Sequence, residues 1–172
     1  YGEAGGQVGD RGLLLNDVGL RVEITHTKKP VPTLTVSEAR VLQGELQEGM
    51  TLWAGYLPEV RQETRLHHSA THLLQAALRQ VLGEHVHQAG SLVDPEHLRF
   101  DYTHFTTPNP AQLQAVEARV NQWIYEDAPV TTDVQSFVAA KKQGAMALFG
   151  EKYGDLVRVV SMGRSVELCG GT

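Results

Sequence analysis

The sequence predicts an α+β fold: a small antiparallel β-barrel lobe over residues 1–65, then an α/β sandwich core over residues 66–172 with helices packed on a sheet. Three observations predict it. From Tyr1 to about Leu66 there is no helical apolar period, only short β-rich runs separated by Gly and Pro. At about His67 an apolar repeat at three and four residues begins. Beyond it, helical and extended patterns interleave to the end of the chain, as expected where helices cover a sheet.

In the first lobe the extended runs are Gly12 to Leu15, Leu20 to Thr27, Thr33 to Leu42 and Met50 to Tyr56. In Leu20-Arg21-Val22-Glu23-Ile24 the apolar side chains alternate, which places them on one face of a strand. Gly44, Gly49 and Pro58 fall where turns are needed. Several short strands at this spacing suggest a small barrel. In the second lobe Ala70, Leu73, Leu74, Ala77, Leu78, Val81 and Leu82 form the stripe of an amphipathic helix that ends near Gly83. Val86 to Val93 and Leu98 to Tyr102 read as strands. Pro110 opens a second helix carrying Leu113, Val116, Val120 and Ile124 on one face, and Pro129 stops it. Val130 to Val134 is extended, Ser136 to Gln143 is a short helix, and Val157 to Met162 and Val166 to Cys169 finish as strands. There is no internal repeat and no low-complexity segment.

Bulk composition narrows the classes of function. The chain has 172 residues, 41% hydrophobic and 20% charged, an ordinary globular balance that can bury a real core. No run approaches the roughly 20 apolar residues of a membrane helix, and no basic-then-apolar leader is present. A net charge of −5 counts against a free-standing nucleic-acid binder, because phosphate neutralisation needs clustered basic residues. Lys28-Lys29, Arg61, Arg65 and Lys141-Lys142 are local exceptions, none of them a dense run. The single cysteine excludes an intrachain disulfide, fits a reducing cytosol, and is a small buried hydrophobe, a nucleophile or a metal ligand. Tyr1 at the start and Cys169-Gly170-Gly171-Thr172 at the end suggest an internal piece of a longer protein.

His68 and His72 stand four apart at the start of the first helix, so both imidazoles can reach one metal ion; they can equally be two half-exposed polar residues. Cys169 ends a strand, and Gly170-Gly171 let the backbone bend close to whatever a thiolate binds. Two His and one Cys are a chemically sensible zinc set, catalytic in type if one position stays open. His67 is a candidate solvated helix-entry residue. His85 and His87 are solvent-facing or a second metal pair, Lys141-Lys142 a solvated face, and Gly5-Gly6 a loop or an anion-binding turn. No GxxxxGK loop occurs, so ATP chemistry is not expected here.

His68-Ser69-Ala70-Thr71-His72-Leu73-Leu74 and Glu167-Leu168-Cys169-Gly170-Gly171-Thr172 resemble the HxxxH and CxxxH halves of the editing site of alanyl-tRNA synthetases. Tyr1 to Asp10, Gln88 to Val93, Arg99 to Asp101 and Gly144 to Tyr153 resemble further signature runs of that region, in order and spacing. Threonyl-tRNA synthetases carry a related module, but the Leu-Cys-Gly-Gly-Thr ending and the β-rich first half look like the alanyl family. The resemblance implies an aminoacyl-tRNA deacylase that hydrolyses the ester of tRNA(Ala) mischarged with serine or glycine, in the cytoplasm and in cis with the rest of the synthetase. It implies zinc on His68, His72 and Cys169. The fourth ligand position, a His, would follow Thr172, so zinc is expected to bind this chain weakly or to leave the site empty. It makes Gln88 and Thr71 candidates for catalysis and for amino-acid discrimination, and Gly170 and Gly171 candidates for contact with substrate. On residues alone, Gln88 can instead face solvent from its strand. The rival expectations are a stand-alone trans-editing hydrolase, a non-catalytic tRNA-binding or spacer module with a structural metal, and a metal-dependent amidohydrolase.

Overall fold

The computed structural model describes residues 1–31, 33–147 and 154–172. They form two compact units, one of residues 1–68, 92–98 and 171–172, the other of residues 69–91 and 99–170. The fold is α+β, as the patterning predicts.

The first unit contains strands β1 (Gly12–Leu15), β2 (Arg21–Val31), β3 (Leu34–Gln43) and β4 (Trp53–Tyr56), antiparallel in the order β3-β2-β1-β4. The alternation in β2 works as read. Val22 and Ile24 are buried and cluster with Leu20, Leu14 and Leu52. The residues between them face out, and Glu23 pairs with Arg40 directly across on β3 at 2.6 Å. The sheet is open rather than a closed barrel. β1 and β4 are only four residues long, and four strands of such unequal length cannot tilt and stagger into a closed ring. β3 and β4 are therefore its two edges.

Helix α1 (Pro58–Leu82) begins twelve residues before Ala70, where the apolar stripe begins. Its first turns are polar, so periodicity is silent there. The start is marked instead by Pro58, whose missing N–H costs nothing in a first turn, and by Glu59 near the positive helix end. Arg61 on this segment donates to both carboxylate oxygens of Asp10 and lies 4.4 Å from the centre of the Tyr56 ring. Burial pushes the Asp10 carboxyl up, while the hydrogen bonds and charge of Arg61 push it down, and the carboxyl lies below its ordinary 3.8. Because the folded value is depressed, the pair stabilises above pH 3.8 and loses its contribution as pH falls through the lowered value. Arg61→Met should cost about 1–3 kcal/mol at pH 7, between the exposed and buried limits for ion pairs. Urea midpoints at pH 7 and pH 3 check this, since an equal cost at both would rule out the charge pair as its cause.

The second unit holds most of α1, the helices α2 (Pro110–Tyr125) and α3 (Phe137–Lys142), and an antiparallel sheet β7-β8-β9 of Val130–Ser136, Leu156–Met162 and Ser165–Leu168. β5 (Gln88–Val93) and β6 (Leu98–Tyr102) make a separate two-stranded pair. The α1 stripe buries Ala77 and Leu78 against Val86, Val116 and Trp123. A second cluster joins Ala140 of α3 to Val157, Val159 and Leu168 of the sheet. α2 starts where Pro110 predicts, with Asn109 and Gln112 bonding each other's backbone N–H groups as a capping box. Among the described residues no helix is long and apolar enough to cross a membrane.

Candidate metal centre

One turn of α1 separates His68 from His72, and Cys169 directly follows β9. Ligand atoms of these three side chains all lie within 4.8 Å of one another. The backbone of Cys169 is held by β8: its N–H donates to the Arg158 carbonyl at 3.1 Å, and the Arg158 guanidinium donates to its carbonyl at 2.8 Å. Strand alternation places Ser165, Glu167 and Cys169 on one side.

His72 is 8% exposed, and its Nδ1 lies 2.7 Å from Oε2 of Glu167, itself 3% exposed. A carboxylate oxygen only accepts, so Nδ1 carries the hydrogen and Nε2 is the nitrogen left for a metal. Ser165 Oγ donates to the other Glu167 oxygen at 2.8 Å. Burial pushes the His72 imidazole down, but hydrogen bonds and negative charge from Cys169 and Glu167 push it up to about 10. A metal bound there would displace that proton.

His68 meets a different oxygen. Its Nδ1 lies 2.6 Å from Oε1 of Gln7, whose side chain is 1% exposed. Thr172 N–H donates to the same Oε1 at 3.1 Å, and Gln7 Nε2 donates to Thr172 Oγ1 at 2.9 Å. A His/Cys donor set with both Nδ1 atoms fixed by side-chain oxygens fits zinc.

The other candidate residues fall out as follows. Thr71 is buried on α1, 7% exposed. Gln88 opens β5 and donates to Ser91 Oγ at 2.9 Å. At Gly171 a methyl group would stand 2.6 Å from His68 Nδ1 and 2.9 Å from Gln7 Oε1, whereas at Gly170 it would meet nothing within 4 Å. His67 bonds the Asp94 carbonyl at 2.8 Å. His85 bonds and stacks on His104. Lys141 lies near the Phe137 ring. Asp94, Glu96 and His97 also bring ligand atoms together, but Asp94 Oδ1 accepts from the backbone of the other two, an Asx turn that accounts for their proximity. Leu148 to Tyr153, most of the Gly144 to Tyr153 run, lie outside the described residues.

Gln7 and Glu167, which hold the two candidate ligand imidazoles, are the residues that pattern reading passes over. Glu167 had a legible signal, a carboxylate two residues before the Cys on a strand. For Gln7 the signal is weaker: a polar residue directly after Gly5-Gly6, whose φ values of 58° and 83° make the central pair of a tight turn. That turn is closed by Ala4 and Gln7, which bond each other's backbone at 3.0 and 3.2 Å.

No family model matches the chain. It is 51% identical over 174 residues to the alanine–tRNA ligase of Myxococcus xanthus, covering the whole chain and 19% of that protein. To the alanine–tRNA ligase of Pseudomonas syringae it is 53% identical over 173 residues, covering 99% of the chain and 20% of the ligase. To that of Pelotomaculum thermopropionicum it is 52% identical over 173 residues, again 20% of the ligase. The chain thus spans about a fifth of the length of these relatives. Matching these ligases along its length at about half identity, and corresponding to about a fifth of a ligase, the chain belongs to the alanine–tRNA ligase family.

Proposed function

We propose that this segment is the editing unit of an alanine–tRNA ligase, an esterase that removes serine or glycine from mischarged tRNA(Ala). The observation that carries the reading is the His68, His72 and Cys169 cluster, with both imidazoles held Nε2-outward by Gln7 and Glu167. The need for such a unit follows from selection physics. A pocket sized for alanine gains only about 1–3 kcal/mol against a substrate lacking one methyl group, and it rejects an added hydroxyl poorly, so glycine and serine slip through. A second site can recognise the serine hydroxyl with hydrogen-bonding groups, and Gln88 and Thr71 have the right chemistry for that.

Zinc on the three donors would supply Lewis acidity at the ester. The chain's own residues have separate tasks: Glu167 and Gln7 keep the imidazole donors in one tautomer, and Gly171 keeps the main chain slim beside His68. In the overall hydrolysis, water adds to the ester carbonyl carbon, the bond to the terminal ribose oxygen breaks, and that oxygen leaves with a proton as the 3′-terminal hydroxyl. The negative charge of the chain supports a division of labour in which the remainder of the synthetase supplies most of the tRNA grip.

The test is release of serine from preformed seryl-tRNA(Ala), beside alanyl-tRNA(Ala). Serine release with alanine spared is expected, slowed roughly a hundredfold or more by chelation and restored by added zinc. A folded, zinc-loaded chain that releases no serine would leave the non-catalytic module as the better reading.

A further inference from the structure

Gln7 is one of the most deeply buried polar side chains in the molecule, and all three of its hydrogen-bonding contacts go to two residues, His68 and Thr172. The orientation of its amide is not a free choice. The backbone N–H of Thr172 can only donate, so the Gln7 atom 3.1 Å from it is the oxygen. That same oxygen lies 2.6 Å from His68 Nδ1. An amide oxygen cannot donate, so the hydrogen between them belongs to His68. A single backbone N–H thereby settles both the amide and the tautomer of the imidazole. The lone pair of His68 is then on Nε2, the atom a metal would use.

The supports of Gln7 are themselves rigid. The Gly5-Gly6 turn aims it, and its backbone neighbours are tied to one strand residue: Val8 N–H donates to the Val93 carbonyl at 3.0 Å, and Val93 N–H donates to the Gly6 carbonyl at 2.8 Å. Val93 is 2% exposed. An isolated Gly pair in a loop needs no such anchoring, and a buried amide serving only to fill space would be cheaper as Leu or Met.

We infer that Gln7 is a positioning residue for the metal site, holding His68 in the Nδ1–H tautomer and fixing the Gly171-Thr172 main chain against it through one shared oxygen. The metal half of this inference rests on the zinc reading above; the tautomer half does not.

The experiment uses the 172-residue chain, with cobalt(II) as the metal probe and nitrogen-15 spectra of the His68 ring at pH 8. Gln7→Leu keeps much of the volume but can neither accept nor donate. It is expected to weaken cobalt binding roughly 10- to 100-fold, the usual cost of losing such an outer partner. It should also turn the His68 signals from a single Nδ1–H form into a mixture. Gln7→Glu retains an acceptor, so it should restore the tautomer and most of the affinity. It also keeps the test decisive if the Leu variant fails to fold, since loss of the Nδ1–H form in a folded Glu variant would overturn the inference. Wild-type cobalt affinity together with an unchanged tautomer in Gln7→Leu would overturn it as well. If the unsubstituted chain takes up no cobalt, as its three donors allow, the tautomer alone decides: lost in Gln7→Leu, the positioning role stands; kept, it falls.

Discussion

His72→Ala is expected to remove metal binding and serine release together, with each falling to background. Two effects coincide at this residue. The substitution deletes a donor from a three-donor set, and it strips the Glu167 carboxylate, 3% exposed, of its imidazole partner. The Ser165 hydroxyl remains, so the carboxylate is not wholly abandoned. Breaking one side of a buried pair costs about 3–5 kcal/mol, and a stability loss near the low end of that range is expected here. Glu167→Gln separates the two effects. Its amide oxygen can still accept from His72 Nδ1, so the fold should lose less, while the imidazole loses the charge that makes it a stronger donor. Metal affinity should fall roughly 10- to 100-fold. Cobalt titration, thermal melting and the seryl-tRNA(Ala) assay on both variants check this. A His72→Ala protein that binds cobalt like the unsubstituted chain would remove the centre from this place altogether.

The parts of this arrangement that could be read without coordinates are those encoded by local spacing. A spacing of four from His68 to His72 means adjacent turns of one helix face in any protein, and the stripe from Leu73 to Leu82 supplies the helix. Pro110 and Pro129 bracket α2 because proline acts on its own neighbours. What was not legible depends on distant partners. Whether four strands close into a barrel depends on the pairing of the outermost two, and nothing in the composition of β3 or β4 records that they stay at the edges. The polar first turns of α1 carry no apolar period, so patterning alone starts the helix late. Gln7 is 61 residues from His68 and 165 from Thr172, and no periodicity links positions that far apart. Gln88 shows the converse: a residue singled out by family likeness whose one described side-chain bond is local, to Ser91.

Gly170 and Gly171 look interchangeable in the sequence, and the structure predicts opposite consequences for the same small change. Gly170→Ala should be silent in metal binding, because the added methyl would have no atom within 4 Å. Gly171→Ala should be severe. The methyl would press into the His68 ring, 2.6 Å from Nδ1, and within 2.9 Å of Gln7 Oε1. Both distances are well inside contact for carbon, so something must move. Thr172 is tied to Gln7 by two hydrogen bonds, one through its backbone N–H and one through its Oγ1, while the imidazole ring is the mobile end of a side chain, so the ring is what yields. Turning it breaks the Nδ1–H bond to Gln7 and swings Nε2 away from His72 and Cys169. The stability cost should be modest, about 1–2 kcal/mol for one neutral hydrogen bond and local repacking. Cobalt affinity should fall roughly a hundredfold, as for loss of a well-aligned ligand's support. Paired cobalt titrations and melts of the two Ala variants provide the check. Equal cobalt affinity in both would show that His68 is not held where the metal needs it, whereas a large affinity loss confined to Gly171→Ala, with a near-native melting temperature, would establish that the second glycine is there to leave room for the imidazole.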